Sequence, residues 1–326
     1  MHKIIVAGCG GICHAWIVPA LARQDCEIAA LVDPFEGNAL AVKEKYSLQS
    51  RVYPTLASAL DNEDADLVFD MTPPRMHHSV VTEALASGRH VFGEKPMSDF
   101  LEEAEEMVSC AEKHGKEYFV MQNYRYNAQI IAFRDFLASG QLGDIWRCSA
   151  RFSKCMHFGG FRDEMESPLI TDMAIHTFDA ARFITGTSAR SVYCREFNPP
   201  WSWYKGDACA VCDFEMTGGV TFSYNGSWCA KGLETSWNSE WRVDCEQGCV
   251  YWDGADVLQY QTDKSESTSI LVAPIHHTGH AACINEMFDA LNNGTRPQTD
   301  CRDNIKSVRM VYKALESSRA NGRVTV

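Results

Sequence analysis

The chain has 326 residues, 45% hydrophobic content and a formal net charge of −13. That length suggests two domains, and that composition fills large cores. The acid excess, with no Lys/Arg block to offset it, argues against nucleic acid and anionic membranes as partners.

In chain order, short apolar runs alternate with helical stretches. Strands are expected at 3–8, 27–33, 66–71, 90–93 and 118–122, and helices at 11–23, 35–46, 76–87 and 99–114. Repeated units of this kind predict a parallel, doubly wound α/β sheet over residues 1–122. The opening apolar run, Ile4-Ile5-Val6-Ala7, leads straight into a glycine turn and reads as a buried first strand, not a signal peptide. With no run near the ~18 apolar residues of a membrane span, the expected compartment is the cytoplasm. From residue 123 the pattern changes. Helices are expected at 128–139, 171–185, 279–292 and 301–320, and a strand at 145–152. Successive strand-like runs from 189 to 261 then predict an α+β domain, 123–326, on a large open, mostly antiparallel sheet. Its last helix is a candidate to pack back on the first domain.

The turn Gly8-Cys9-Gly10-Gly11-Ile12-Cys13 follows the first strand and opens a helix. Gly8 permits a tight turn. Gly10, with Gly11 and Ile12 beside it, lets the backbone approach a pyrophosphate at a helix N-terminus. Cys13 replaces the usual third glycine with another small residue. Asp33 ends the second strand, 23 residues beyond Gly10. An acid there accepts hydrogen bonds from ribose hydroxyls and repels a 2′-phosphate, so the expected cofactor is NAD rather than NADP.

Fourteen cysteines are many, but most sit singly in apolar runs as small buried hydrophobes. Cys209-x-x-Cys212 lies in a strand-like run, where positions three apart face opposite ways, so a shared zinc is not expected. No metal is needed for hydride transfer. His276, His277 and His280 have no evident carboxylate partner in the nearby sequence; loop or helix-entry roles are favoured and left open.

The stretch 72–96 contains Thr72-Pro73-x-x-x-His77, Gly88-x-His90-Val91 and Glu94-Lys95-Pro96. Further on comes Asp172-Met-Ala-Ile-His176-Thr-Phe-Asp179. These motifs, in order and spacing, resemble the Gfo/Idh/MocA family of oxidoreductases over residues 1 to about 186; the remainder fits the family's sheet domain more loosely. The resemblance implies that Lys95 contacts substrate and cofactor, that His176 is the general base and that Asp172 positions the substrate or supports the base. Four apart on a helix, Asp172 and His176 are expected to share one face, and the imidazole is the natural proton acceptor near neutral pH. Thr72, Pro73, His77 and Glu94 are further cofactor-side candidates. Arg125, beside Asn123 and Tyr126 at the junction, is a candidate substrate or interface contact. Asp179 either orients the imidazole or makes an ion pair.

Seven of the eight Trp residues lie between Trp146 and Trp252. Most are expected in the sheet core or an oligomer contact; one or two near Trp201 can offer flat faces to a sugar ring. The implied reaction is NAD-dependent oxidation of a secondary hydroxyl of a sugar, glycoside, inositol or related polyol. Alternatives are redox-neutral glycoside cleavage or epimerisation on tightly held NAD, and a non-catalytic NAD-binding regulatory protein. A homodimer or homotetramer through the sheet is expected, on the reasoning that a broad apolar sheet needs covering.

Overall fold

The computed structural model describes all 326 residues, Met1–Val326. The first elements are β1 (His2–Ala7), α1 (Cys13–Leu21), β2 (Cys26–Val32), α2 (Glu36–Lys45), β3 (Arg51–Tyr53), α3 (Leu56–Asn62), β4 (Leu67–Asp70), α4 (Pro74–Ala86), β5 (His90–Gly93), α5 (Leu101–His114) and β6 (Tyr118–Val120). Their strands form one parallel sheet in the order β3-β2-β1-β4-β5-β6. This is the doubly wound dinucleotide-binding order, whose reversal lies between β1 and β4. Ile4, Ile5, Val6, Leu67, Val68 and Phe69 are all fully buried. They form runs rather than alternations because helices cover both faces. The sequence pattern missed β3 and α3. β3 is three residues long, and α3 is a two-turn helix whose N-terminus is capped by Thr55 Oγ1, accepting from Ser58 N at 3.2 Å.

The chain continues with α6 (Ala128–Ala138), β7 (Ile145–Ser153), α7 (Phe161–Glu164), a π-helical turn at Leu169–Ala174 and α8 (Ile175–Thr185). Then come β8 (Ala189–Phe197), β9 (Cys209–Met216), β10 (Thr221–Ser227), β11 (Glu240–Cys245), β12 (Gly248–Trp252), β13 (Leu258–Thr262) and β14 (Thr268–Ser269). Helices α9 (Gly279–Asn293) and α10 (Cys301–Ala320) and the short β15 (Val324–Thr325) finish the chain. The second sheet has nine strands, ordered β14-β13-β12-β11-β7-β10-β9-β8-β15, all antiparallel except the β7/β10 pair. Cys148, Ala150 and Phe152 on β7 and Phe222 and Tyr224 on β10 point into the core, where Phe178 of α8 meets Phe214 and Tyr224 edge-on at 5.0 and 5.3 Å. Every residue of α8 from Ile175 to Ile184 is buried.

The opposite face of this sheet is polar, not the broad apolar surface expected from sequence. Arg147 pairs with Asp244 at 2.8 Å, Arg151 with Glu240 at 2.8 Å, and Arg323 with Asp213 at 2.7 Å. The period-2 alternation of β7 to β10 accounts for this: each buried residue places a polar neighbour outside. Cys209 and Cys212 meet different cysteines, Cys229 at 3.8 Å and Cys194 at 3.4 Å between sulfurs. No group of three or more His, Cys, Asp or Glu is placed to hold a metal ion, and no helix is long and apolar enough to cross a membrane.

By compactness the chain divides into Met1–Asn123 with His276–Ile305, and Tyr124–Ile275 with Lys306–Val326. The segment 276–305, placed in the second domain by sequence, thus belongs to the first unit. The apolar stripe Cys283, Ile284, Met287 and Phe288 on α9 is buried there. Phe288 lies edge-on to Phe92 at 5.2 Å, and Arg23 donates to Asn285 and Asp289 at 2.7 and 3.0 Å.

Candidate active site

In the first unit, the candidate residues gather at the carboxyl ends of β1, β2, β4 and β5. Gly8 has φ +93°, and a Cβ there would lie 2.6 Å from the Met71 carbonyl oxygen. Only glycine lets the end of β1 pass this close to the end of β4. At Gly10 and Gly11 nothing lies within 4 Å of such an added atom, so the turn keeps open space ahead of α1. Ile12 is the residue before that helix and is exposed, whereas Cys13 is fully buried, as the third motif position requires for close packing. Asp33, just past β2, is buried. One of its oxygens accepts from Cys9 N at 3.0 Å; the other accepts from Phe35 N at 2.9 Å and Asn38 Nδ2 at 3.1 Å. Space at the glycine turn and a fixed carboxylate beyond the second strand fit the pyrophosphate and ribose of NAD.

Beyond β4, Pro73 precedes α4 and Pro74 opens it, a position where proline's missing N–H costs nothing. Thr72 donates from its amide and hydroxyl to Asp70 Oδ1 at 3.1 and 2.6 Å. His77 lies one turn into the helix and is buried, with its two ring nitrogens each 2.8 Å from a backbone carbonyl, those of Pro96 and Thr72. After β5, Lys95 is half-buried and is followed by a cis peptide to Pro96. Glu94, a candidate cofactor contact, directs its carboxylate into its own unit: it accepts from Trp16 Nε1 at 2.6 Å and from Lys95 N at 3.1 Å, and His280 Nε2 lies 3.7 Å away. Burial alone would raise the Glu94 carboxyl, but the His280 and Trp16 groups outweigh it and hold it below the ordinary glutamate range.

His280 therefore does have a carboxylate neighbour, supplied from nearly two hundred residues away in sequence. Its Nδ1 lies 3.3 Å from Asn123 Nδ2. His276 and His277 are exposed and lie in no regular element.

In the second unit, Asp172 sits in the π-helical turn and His176 at the start of α8. They are not successive turns of one regular α-helix, as their spacing had suggested. Asp172 accepts from Arg162 Nε at 2.7 Å. His176 is buried, and its ring stacks on that of Tyr124, with centroids 3.9 Å apart and planes 17° apart. Burial pushes the Tyr124 phenol up to about 12, and the negative charge of Asp172 adds to the shift. Tyr124, Arg162, Asp172 and His176 thus form one cluster. Sequence reasoning missed Tyr124 and Arg162: the first stood unremarked beside Arg125, and the second lay in a charged, glycine-rich loop with no periodicity.

Arg125 and Asp179 pair with each other. Arg125 Nε and Nη2 donate to the two Asp179 oxygens at 2.6 Å each, and Ser307 Oγ donates to the same carboxylate at 2.7 Å. All three are buried. Of the two readings left open for Asp179, the geometry fits the ion pair.

Trp228, Trp241 and Trp252 are core residues, while Trp146 and Trp201 are more than half exposed. Near Asp172, the Arg162 guanidinium lies 5.4 Å over the Phe158 ring; Phe158 is 6.0 Å from Trp237, and Lys154 Nζ is 5.1 Å over Trp237.

The family model described as oxidoreductase family, NAD-binding Rossmann fold matches residues 2–122, and the GFO/IDH/MocA C-terminal domain matches residues 130–251. A D-apiose dehydrogenase of Rhizobium rhizogenes is 27% identical over 343 residues, covering 98% of this chain and 96% of the relative. A D-glucoside 3-dehydrogenase of Escherichia coli is 32% identical over 182 residues, covering 54% of this chain and 51% of that one. Among solved structures, an oxidoreductase from Agrobacterium radiobacter in complex with NAD+, L-tartaric acid and magnesium aligns with a TM-score of 0.90 at 22% identity, covering 99% of this chain and 98% of the other. The nucleotide-binding sheet, the two matched domains and the ordered motifs agree: the chain belongs to the Gfo/Idh/MocA family of NAD-binding oxidoreductases.

Proposed function

We propose that this protein is an NAD-dependent dehydrogenase that oxidises a secondary hydroxyl of a sugar, glycoside, inositol or related polyol. The observation that carries the reading is the second unit's cluster, an imidazole held flat against Tyr124 with a carboxylate fixed by Arg162 at the preceding turn. When bound, NAD supplies the hydride acceptor; the chain must orient the alcohol and take up its proton. His176 accepts that proton. Its face is fixed by the Tyr124 stack, and the phenol, with its titration pushed to about 12, stays neutral beside it. Asp172 accepts a hydrogen bond from a substrate hydroxyl, in an orientation held by Arg162. Lys95 polarises the reacting oxygen, and its charge lowers the cost of the developing alkoxide. Phe158 and Trp237 suit the C–H face of a sugar ring beside these polar groups. The names of the D-apiose and D-glucoside relatives support the substrate class. Fourteen free thiols fit a reducing compartment, and the proposed setting is the cytoplasm.

The test is an NADH-absorbance screen across sugars, glycosides and inositols, with mass spectrometry of the product. Lys95→Ala and His176→Ala are each expected to cut turnover of the best substrate by about 10²-fold or more. Near-normal turnover in both rejects the assigned roles. Protein that purifies with NAD and converts a glycoside without net NADH is instead the redox-neutral enzyme.

A further inference from the structure

His77 lies with Nδ1 2.8 Å from the Pro96 carbonyl oxygen and Nε2 2.8 Å from the Thr72 carbonyl oxygen. A carbonyl oxygen can only accept, so each ring nitrogen must donate. A neutral imidazole has one N–H, and either tautomer would set a lone pair against a carbonyl oxygen at hydrogen-bond distance. Both contacts are satisfied together only by the imidazolium. The ring is 1% exposed and Asp70 is 0% exposed. Asp70 Oδ1 accepts from Thr72, while its Oδ2 is buried without a hydrogen-bond partner. Two proton placements are open to this pair. With the proton on Asp70, a carboxylic O–H lacks an acceptor and one His77 nitrogen opposes a carbonyl. With the proton on His77, both carbonyls are bonded and the buried carboxylate has a cation in its neighbourhood.

We infer that His77 is a buried imidazolium, balanced by Asp70, that clamps the loop carrying Lys95 to the loop after β4 and thereby acts as a positioning residue for Lys95. The role of Lys95 itself rests on the proposed dehydrogenase reading; the charge on His77 does not. Two carboxylates feel the His77 charge, Asp70 at the end of β4 and Asp99 at the entry to α5; Glu94 in turn acts on Asp70, and Glu103 and Arg75 act on Asp99. Burial pushes the Asp70 and Asp99 carboxyls upward, and the positive His77 opposes both shifts.

The test begins with nitrogen NMR of the full chain labelled at histidine, the His77 signals being assigned by their loss in His77→Gln. In the folded protein both His77 nitrogens are expected to be of the protonated type. One imine-type nitrogen in the wild type overturns the inference whatever the protein's activity. In Asp70→Asn the counter-charge is gone, and one His77 nitrogen is expected to become imine-type; two protonated nitrogens in that variant overturn the pairing. His77→Gln is expected to lower kcat by about 10-fold or more, because it keeps at most one carbonyl contact and lets the Lys95 loop shift. KM is expected to change far less than kcat, because the clamp holds Lys95 and not the groups of the second unit. Wild-type kcat in His77→Gln, or a loss confined to KM, removes the positioning role. Failure of the dehydrogenase reading would instead show as no turnover on any substrate with the nitrogen signals as expected.

Discussion

Asp33 has three donors already aimed at its two oxygens, so its carboxylate is oriented before any ligand arrives. An anion fixed in this way rewards ribose hydroxyls and penalises a phosphate in their place. The expected outcome is a kcat/KM with NAD well above that with NADP. Asp33→Ala should lower the NAD value by about 10- to 100-fold, the scale of a hydrogen bond to a charged group; steady-state kinetics with both cofactors checks this. Arg125 makes the opposite case. Its bidentate pair with Asp179, joined by Ser307, is buried, and removing one partner of such a pair strands a charge. Arg125→Ala is expected to destabilise the fold by roughly 3–5 kcal/mol in denaturant titrations, with KM for substrate little changed at temperatures where it remains folded. The motif residues were legible in sequence because their spacing is local. The partners that decide their roles were not: Glu94 meets His280, Arg125 meets Asp179 and Asp172 meets Arg162 through tertiary contacts that no spacing encodes.

At the scale of elements, long periodic segments read well from sequence. The strand His90–Gly93 and the helix Cys301–Ala320 have their expected bounds. What escaped was either short, as with β3 and α3, or degenerate. The π-helical turn is only six residues long, too short for its wider i→i+5 winding to show as a separate period in a hydrophobic pattern. Likewise α9 shows an apolar stripe but not which surface covers it. β8 offers a pH test. Burial raises the Glu196 carboxyl to about 7, with the nearby Asp207 charge adding and Ser167 and Ser318 opposing. A raised folded-state value means that the native chain holds this proton more tightly than the unfolded chain. Stability from this group is therefore present at low pH and lost as pH rises from the ordinary glutamate range through about 7. The loss should be roughly 1–3 kcal/mol after allowing for its remaining solvent contact. Glu196→Gln is expected to be more stable than wild type at pH 8 and no more stable at pH 4, read from urea midpoints at both pH values.

For the whole molecule, the nine-stranded sheet presents a face of paired charges rather than bare apolar area. A homodimer or homotetramer remains the proposed state, but one joined by reciprocal polar and ionic contacts around small apolar patches such as Val211. Light scattering should then give a multiple of the 36.5 kDa chain mass, and Arg151→Glu should shift it toward the monomer, since charge reversal sets like charges against one another. A monomer in the wild type would reject that face as a self-association surface. The division of the chain has a further consequence for biosynthesis. The first compact unit needs residues 276–305, which leave the ribosome only after strands β7 to β14 of the second sheet have been made. At roughly 5–20 residues per second, the nascent Rossmann sheet waits on the order of ten seconds or more without the helix that covers Phe92. In that interval the emerging chain is a natural client for chaperones that shield exposed aromatic surface.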